Sequence, residues 1–264
     1  MSQLLFLDTN VYLSFLHFTA DDLDALSQLA VLAKHEKVRL LLPDQVVHEF
    51  LRNRDVRVAD ALKQLEASKL PTGFPRFCQD FDEYKEVHQQ LENYERSRKS
   101  LLVKVNEAAR KWTFKADDVT RELFSVANAI EMTAEMFGAA DLRHKRGDPP
   151  GKPDQDSLGD AIIWESLLAS KSQGDLFFVT DDRDWASPVD RSMFNVALNN
   201  EWRATCKGQV HLHQRLSTFL GQHFPDIKLS TELEKDLLIE KLASSTSFAD
   251  THAAIAALRE VAGW

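Results

Sequence analysis

The feature that most constrains this chain is a set of short apolar runs that stop at an acidic residue or lead on to one. Gln3-Leu-Leu-Phe-Leu7 stops at Asp8, and Leu176-Phe-Phe-Val-Thr180 stops at Asp181-Asp-Arg-Asp184. An apolar run of four or five residues without polar alternation is the pattern of a strand buried on both faces, which belongs to parallel sheets covered by helices. Val38-Arg-Leu-Leu-Leu42 reads as a further strand. Pro43 then starts a helix, where its missing N–H costs nothing. Gln209-Val-His-Leu-His213 reads as a fourth.

Helical periods lie between these runs. Thr9 or Asn10 is expected to cap a helix from Val11 to about Phe18. Asp21 and Asp22 are expected to open a second, with Leu23, Leu26, Leu29, Ala30 and Ala33 on one stripe. Val46, Val47, Phe50 and Leu51 give the helix after Pro43 its apolar face. Asp160 leads a helix bearing Ile162, Ile163, Trp164, Leu167 and Leu168, and Leu216, Phe219 and Leu220 mark another. Alternating strands and helices specify the α/β class: a central, mainly parallel sheet flanked by helices.

Residues 56–140 interrupt the alternation. They are charged and helical in period. Leu91, Tyr94, Leu101, Leu102, Val105 and Ala109 lie on one long amphipathic helix, and Thr113 to Gly138 reads as another. This stretch is expected to be a helical insertion within a domain spanning residues 1–229. Residues 143–157 hold three prolines and two glycines and are expected to form a loop. Residues 230–264 form a helical C-terminal tail, broken near 243–247, with Ser247 and Asp250 resembling a capping box. Its stripe of Phe248, Ala254, Ile255, Leu258 and Val261 must be buried, on its own domain or in a homodimer.

Composition excludes several classes. Hydrophobic residues at 44% and charged residues at 28% are globular values. No apolar run approaches the roughly 20 residues of a membrane span, so no membrane association is expected. The opening MSQLLFLDTN lacks the basic region of a secretory leader. Cys78 and Cys206 form neither a disulfide framework nor a zinc spacing, so a cytoplasmic location is expected. The net charge of −9 argues mildly against a protein that only binds nucleic acid. It does not argue against a nuclease whose acids are neutralised by divalent cations.

The acids carry the chemistry. Alone, Asp8 reads as a helix cap, Glu49 as a solvated helix residue, Asp160 as a cap after Gly159, and residues 181–184 as a turn. Together they fall at one predicted edge, the carboxyl ends of the strands, where α/β sheets bind ligands. Four or five gathered carboxylates repel one another unless cations sit among them. Hard ions with oxygen ligands, Mg²⁺ or Mn²⁺, suit the site, and two of them about 4 Å apart suit in-line attack on a phosphodiester.

Leu7-Asp8-Thr-Asn10 resembles the opening motif of PIN-domain nucleases, and Val179-Thr-Asp-Asp-Arg-Asp-Trp185 resembles their later strand-end motif. Glu49 stands where that family carries its helix-two glutamate, and Gly159-Asp-Ala161 resembles its third acidic position. The resemblance implies metal ligation and catalysis by Asp8, Glu49, Asp160, Asp182 and Asp184. Asp181 falls in a variable slot, and Asn10 and Thr180 support the ligands by hydrogen bonds. A closer likeness is to larger bacterial PIN-like proteins with a helical insertion. These share a glycine–proline–lysine loop, here Gly147-Asp-Pro-Pro-Gly-Lys152, and a Leu-x-x-Glu-Trp segment, here Leu198-Asn-Asn-Glu-Trp202. It implies a metal-dependent ribonuclease with a toxin or phage-defence role and an antitoxin or other partner protein.

Arg52, Lys145, Arg146 and Lys152 are the candidate RNA contacts, set against the alternative of a solvated charged surface. Arg54, Arg57, Arg143 and His144 lie beside them in sequence. Three other readings stand beside an endonuclease acting on RNA: a nuclease for single-stranded or branched DNA, a non-catalytic RNA-binding protein, and a phosphatase-like metal hydrolase.

Overall fold

The computed structural model describes residues 2–16, 23–70, 73–151, 158–225, 230–245 and 247–262. Its centre is a five-stranded sheet, parallel throughout. The strands are β1 (Gln3–Leu7), β2 (Val38–Pro43), β3 (Asn128–Ile130), β4 (Leu176–Val179) and β5 (Val210–His213), in the order β3-β2-β1-β4-β5. The wholly apolar runs occupy the middle. Leu5, Phe6, Leu7, Phe178 and Val179 are fully buried, as the lack of polar alternation requires. The register sets Leu7 beside Val179 and Val179 beside His213. The residues that follow, Asp8 and Thr180, therefore emerge at the same edge.

Helix α1 (Thr9–Ser14) begins directly after Asp8. Asp8 itself occupies the N-cap position, where Thr9 or Asn10 was expected, and its side chain makes no capping bond. Phe18, Asp21 and Asp22 lie outside the described residues; α2 (Leu23–Lys34) packs Leu26, Leu29 and Ala30 into the core. Helix α3 (Asp44–Ala67) follows Pro43 and has 24 residues, of which the last buried one is Val58. After a short 3-10 turn at Arg76–Asp80, α4 (Asp82–Lys111) returns alongside it, and α5 (Lys115–Val126) closes against α2.

The root of this arm is fixed by one buried cation. Arg54 is 1% exposed and donates to both carboxylate oxygens of Asp117, at 3.0 and 2.7 Å, and to the carbonyl of Ala109 at 2.8 Å. Its guanidinium also lies 4.5 Å from the centre of the Trp112 ring. The contacts tie α3 to α5 and to the end of α4.

Two sequence expectations need correction. Residues 113–138 are not one helix: α5 ends at Val126, and Asn128–Ile130 forms β3, paired with Leu41–Pro43. The strand is short and partly exposed, so it carries no apolar run of its own. Its extended form comes from pairing with β2. Nor is the stretch from Arg143 all loop, since α6 (Ala134–Arg146) continues to Arg146. Its terminator is Gly147, left-handed at φ 71°. The prolines that argued for a loop begin only at Pro149.

Helix α7 (Leu158–Ala169) precedes β4, and α8 (Val196–Cys206) and α9 (Leu216–His223) flank β5. Trp164, Trp185 and Trp202 are all fully buried, clustered with Phe178 and Phe194. The tail forms α10 (Ser230–Ala243) and α11 (Phe248–Ala262). Helix α10 lies on α2, with Lys34 2.7 Å from Glu234 and Lys37 2.9 Å from Glu240. Leu237 and Leu238 of α10 and Ala254 of α11 are buried, and α11 packs on α10. No helix among the described residues is long and apolar enough to cross a membrane.

Candidate active site

Asp8 is the first residue beyond β1, and its backbone N–H donates to Val179 O at 3.0 Å, which keeps it in line with the strand ladder. Its carboxylate is buried and accepts a 2.6 Å hydrogen bond from the Thr180 hydroxyl. Thr180 Oγ1 in turn accepts from Asn10 Nδ2 at 3.2 Å and from the backbone N–H of Asp182 at 2.9 Å. One hydroxyl thus joins the ends of β1 and β4 and the start of α1. Burial pushes the Asp8 carboxyl up to about 7. The bonds from Thr180 and from the Thr9 N–H oppose that rise, and the negative charges of Asp182 and Glu49 add to it.

Glu49 lies on the second turn of α3. Thr9 Oγ1 donates to one of its oxygens at 2.9 Å, and Gln45 Nε2 donates to the other at 2.8 Å. The same oxygen presses against the backbone of Gly159, so closely that a Cβ there would overlap Glu49 Oε1 and sit 3.2 Å from Gln45 Nε2. Gly159 is therefore the residue that lets α3 and α7 bring Glu49 and Asp160 side by side.

Asp160 is in the first turn of α7. Its carboxyl is pushed up to about 8, first by burial, then by the charges of Asp8, Asp182, Glu49 and Asp184. Asp182 caps the 3-10 turn Arg183–Trp185, accepting from the Asp184 N–H at 2.9 Å. Trp185, fully buried against Trp164, Phe178 and Phe194, anchors that turn. Five carboxylates scattered from position 8 to position 184 are thus brought within electrostatic reach of one another.

Their chemistry fits a hard divalent cation: oxygen donors only, running from buried Asp8 to exposed Asp182, with the carboxyls of Asp8 and Asp160 driven toward neutrality by burial and by the surrounding negative charge. As placed, no three His, Cys, Asp or Glu side chains among the described residues converge closely enough to hold an ion between them. Closing a coordination shell thus requires side-chain movement, which mutual repulsion among bare carboxylates would itself oppose until a cation arrives.

The expected cationic contacts are differently placed. Arg52 and Arg146 are exposed. Lys145 is exposed too, in an ion pair with Asp141 at 2.7 Å. Lys152 lies outside the described residues. Arg143 serves the fold: it donates to Glu165 at 2.7 Å, to Glu201 at 2.9 Å and to Pro149 O at 2.7 Å. Trp164 Nε1 donates to the same Glu201 at 2.8 Å. This node joins α6, α7 and α8 and so fixes the helix that carries Asp160. Sequence reasoning assigned Arg143 to a cationic loop because its partners lie 22 and 58 positions away. Gln45 and the packing role of Gly159 were also missed. A glutamine one helical turn before Glu49 was the available signal for the first.

Compared with family models, residues 5–185 match that of the PIN domain. Comparison with curated proteins and with solved structures gives no match. The matched span covers more than half of the chain and includes Asp8, Glu49, Asp160, Asp182 and Asp184. PIN domains are generally nucleases, hydrolases acting on nucleic acid. The chain belongs to the PIN-domain family.

Proposed function

We propose that this chain is a Mg²⁺- or Mn²⁺-dependent endoribonuclease. The observation that carries the reading is the gathering of the acids at one sheet edge, Asp8 and Asp182 tied together through Thr180 and Glu49 pressed against Gly159 beside Asp160, whose carboxyl is raised to about 8 by burial and then by the charges of the other four. So much uncompensated negative charge at the carboxyl edge of a parallel sheet suits a cation site and little else. Asp8, Asp160 and Asp182 would be the main ligands, with Glu49 and Asp184 holding a second ion or orienting water. Bound there, the divalent cations supply acidification of the attacking water and charge neutralisation at the scissile phosphate.

The chain's own residues do the positioning. Thr180 fixes the orientation of the Asp8 carboxylate, and Asn10 fixes Thr180. Thr9 and Gln45 aim Glu49 at the start of α7. Exposed Arg52 and Arg146 would hold phosphates, and Lys145 and Lys152 are the other cations assigned that role from the sequence. A cytoplasmic toxin or phage-defence effector, held in check by an antitoxin or other partner protein, is the setting that the glycine–proline–lysine loop supports by resemblance alone.

The test is incubation of labelled RNA and labelled single-stranded and branched DNA with the parent and with Asp160→Asn, with and without Mn²⁺. The reading expects metal-dependent internal cleavage of RNA by the parent and none by the variant. Cleavage of DNA alone would move the substrate class. Cleavage by Asp160→Asn at the parental rate would remove the site.

A further inference from the structure

The arm formed by the later turns of α3, beyond Arg54, and by α4 is the largest part of the molecule that the proposed chemistry does not use. Helix α4 has 30 residues, about 45 Å at 1.5 Å per residue, and none of them is buried. It has two neighbouring apolar edges. Tyr84, Leu91, Arg98 and Val105, each seven residues from the next, are half-buried. This edge faces the rest of the arm: Tyr84 meets the Phe74 ring at 5.8 Å, and Arg98 donates to Leu65 O and Glu66 O at 2.9 and 2.8 Å. Val87, Tyr94 and Leu101, again seven apart, form the second edge. They are 42%, 39% and 51% exposed and lie uncovered among the described residues.

A heptad repeat with one edge packed and the other open is half of a helix–helix seam. The charges along the open edge say what completes it. Between its apolar residues the stripe carries Glu83, Gln90, Ser97 and Lys104, all exposed. Glu83 and Lys104 lie almost equally far from Tyr94, as do Val87 and Leu101. Turned antiparallel about Tyr94, a second copy of α4 therefore sets Val87 opposite the partner's Leu101 and Glu83 opposite the partner's Lys104, twice over. Gln90 meets the partner's Ser97, where the small side chain permits close approach. Val87 and Tyr94 also border an open notch with Leu70 and Leu91, room for the partner's Leu101.

The whole helix is polarised in the same sense. Residues 82–95 hold five acids and one lysine, and residues 96–111 hold six cations and one glutamate. A helix dipole favours that order only in its first and last turns. Here the polarity runs the full length, as self-complementary antiparallel pairing requires. We propose that the open edge of α4 is a two-fold interface between copies of this chain. A single helix-on-helix strip lies at the small end of specific interfaces, so the dimer dissociates at roughly micromolar concentration.

The experiment is sedimentation equilibrium on the full chain from about 1 to about 200 µM, a range that brackets such a dissociation constant. Four proteins are compared: the parent, Tyr94→Asp, Lys104→Glu, and the double variant Glu83→Lys with Lys104→Glu. The parent should pass from one chain mass to two. Tyr94→Asp should remain monomeric. Lys104→Glu turns two attractive pairs repulsive and should weaken association about tenfold or more. The double variant should recover the parental constant, which no general loss of folding could produce. A parent that stays monomeric throughout overturns the proposal, as does a dimer indifferent to Tyr94→Asp and Lys104→Glu. If Lys104→Glu lowers RNA affinity at unchanged mass and the double variant does not restore it, the strip is a nucleic-acid path and the proposal falls.

Discussion

Asp8→Asn should stabilise the metal-free protein while abolishing its cleavage activity. The folded carboxyl sits at about 7 against an ordinary value of 3.8. The fold therefore favours the protonated form. The associated stability is fully present below about pH 4 and is lost as pH rises through 7. At 1.36 kcal/mol per unit, a rise of about three units amounts to about 4 kcal/mol lost by pH 8. Asp160, raised to about 8, adds a loss of the same sign and is coupled to the first, so the two do not simply add. An asparagine keeps an oxygen to accept from Thr180 and carries no charge to desolvate. In EDTA at pH 8 the variant should melt higher than the parent by roughly 8–16 °C, at 2–4 °C per kcal/mol for a chain of this size. At pH 4 the two should nearly coincide. Saturating Mg²⁺ should reverse the order, because only the parent gains from binding. Thermal melts across pH 4 to 8, with EDTA and with Mg²⁺, measure all of this. A parent whose stability is flat from pH 5 to 8 in EDTA, or a variant no more stable at pH 8, would refute the reasoning.

Gly159→Ala should separate folding from chemistry. In an ordinary helix it stabilises by up to about 1 kcal/mol, but here the new Cβ displaces the Glu49 carboxylate. Melting temperature should hold while cleavage falls, and full activity would deny Glu49 its place. Arg54→Leu strands the Asp117 carboxylate in the interior and should cost about 3–5 kcal/mol in urea titration. Arg54→Leu with Asp117→Leu should recover much of the loss, and if it recovers none the pair is not the clamp. Alanine at Lys145, Arg146 and Lys152 together should weaken RNA binding and lower its salt slope by about one unit per lost phosphate contact. Lys145 is tied to Asp141, so its share should be small, and an unchanged slope would place the nucleic acid elsewhere.

What was legible in the sequence follows from where the specifying forces are local. β1, β2 and β4 are wholly or largely apolar because both faces are buried, and such runs announce themselves. β3 is three residues, Asn-Ala-Ile, held in place by Leu41–Pro43 from 87 positions away, and nothing in its composition sets it apart. The acids were legible as candidates because Asp8 and Asp182 follow strand ends, while Glu49 and Asp160 sit near the starts of helices next to those strands; the family resemblance assigned their roles. The supporting contacts were less so. Gln45 lies one turn from Glu49 and could have been suspected. The role of Gly159 exists only because α3 and α7 cross there, and the Arg143 node joins three helices that are distant in sequence. The tail's apolar stripe was readable, but of its described members only Ala254 is buried and Ile255 is 38% exposed; that α10 lies on α2, burying Leu237 and Leu238 and pairing Lys34 with Glu234 and Lys37 with Glu240 about 200 positions away, had no local signal.

Anomalous scattering from crystals soaked in Mn²⁺ tests the central claim most directly, since it locates the ion without reference to activity. The account predicts at least one strong peak bounded by Asp8, Asp160 and Asp182, lost in Asp160→Asn. Clear peaks elsewhere on the protein with none at that edge, in the parent at saturating Mn²⁺, would contradict it.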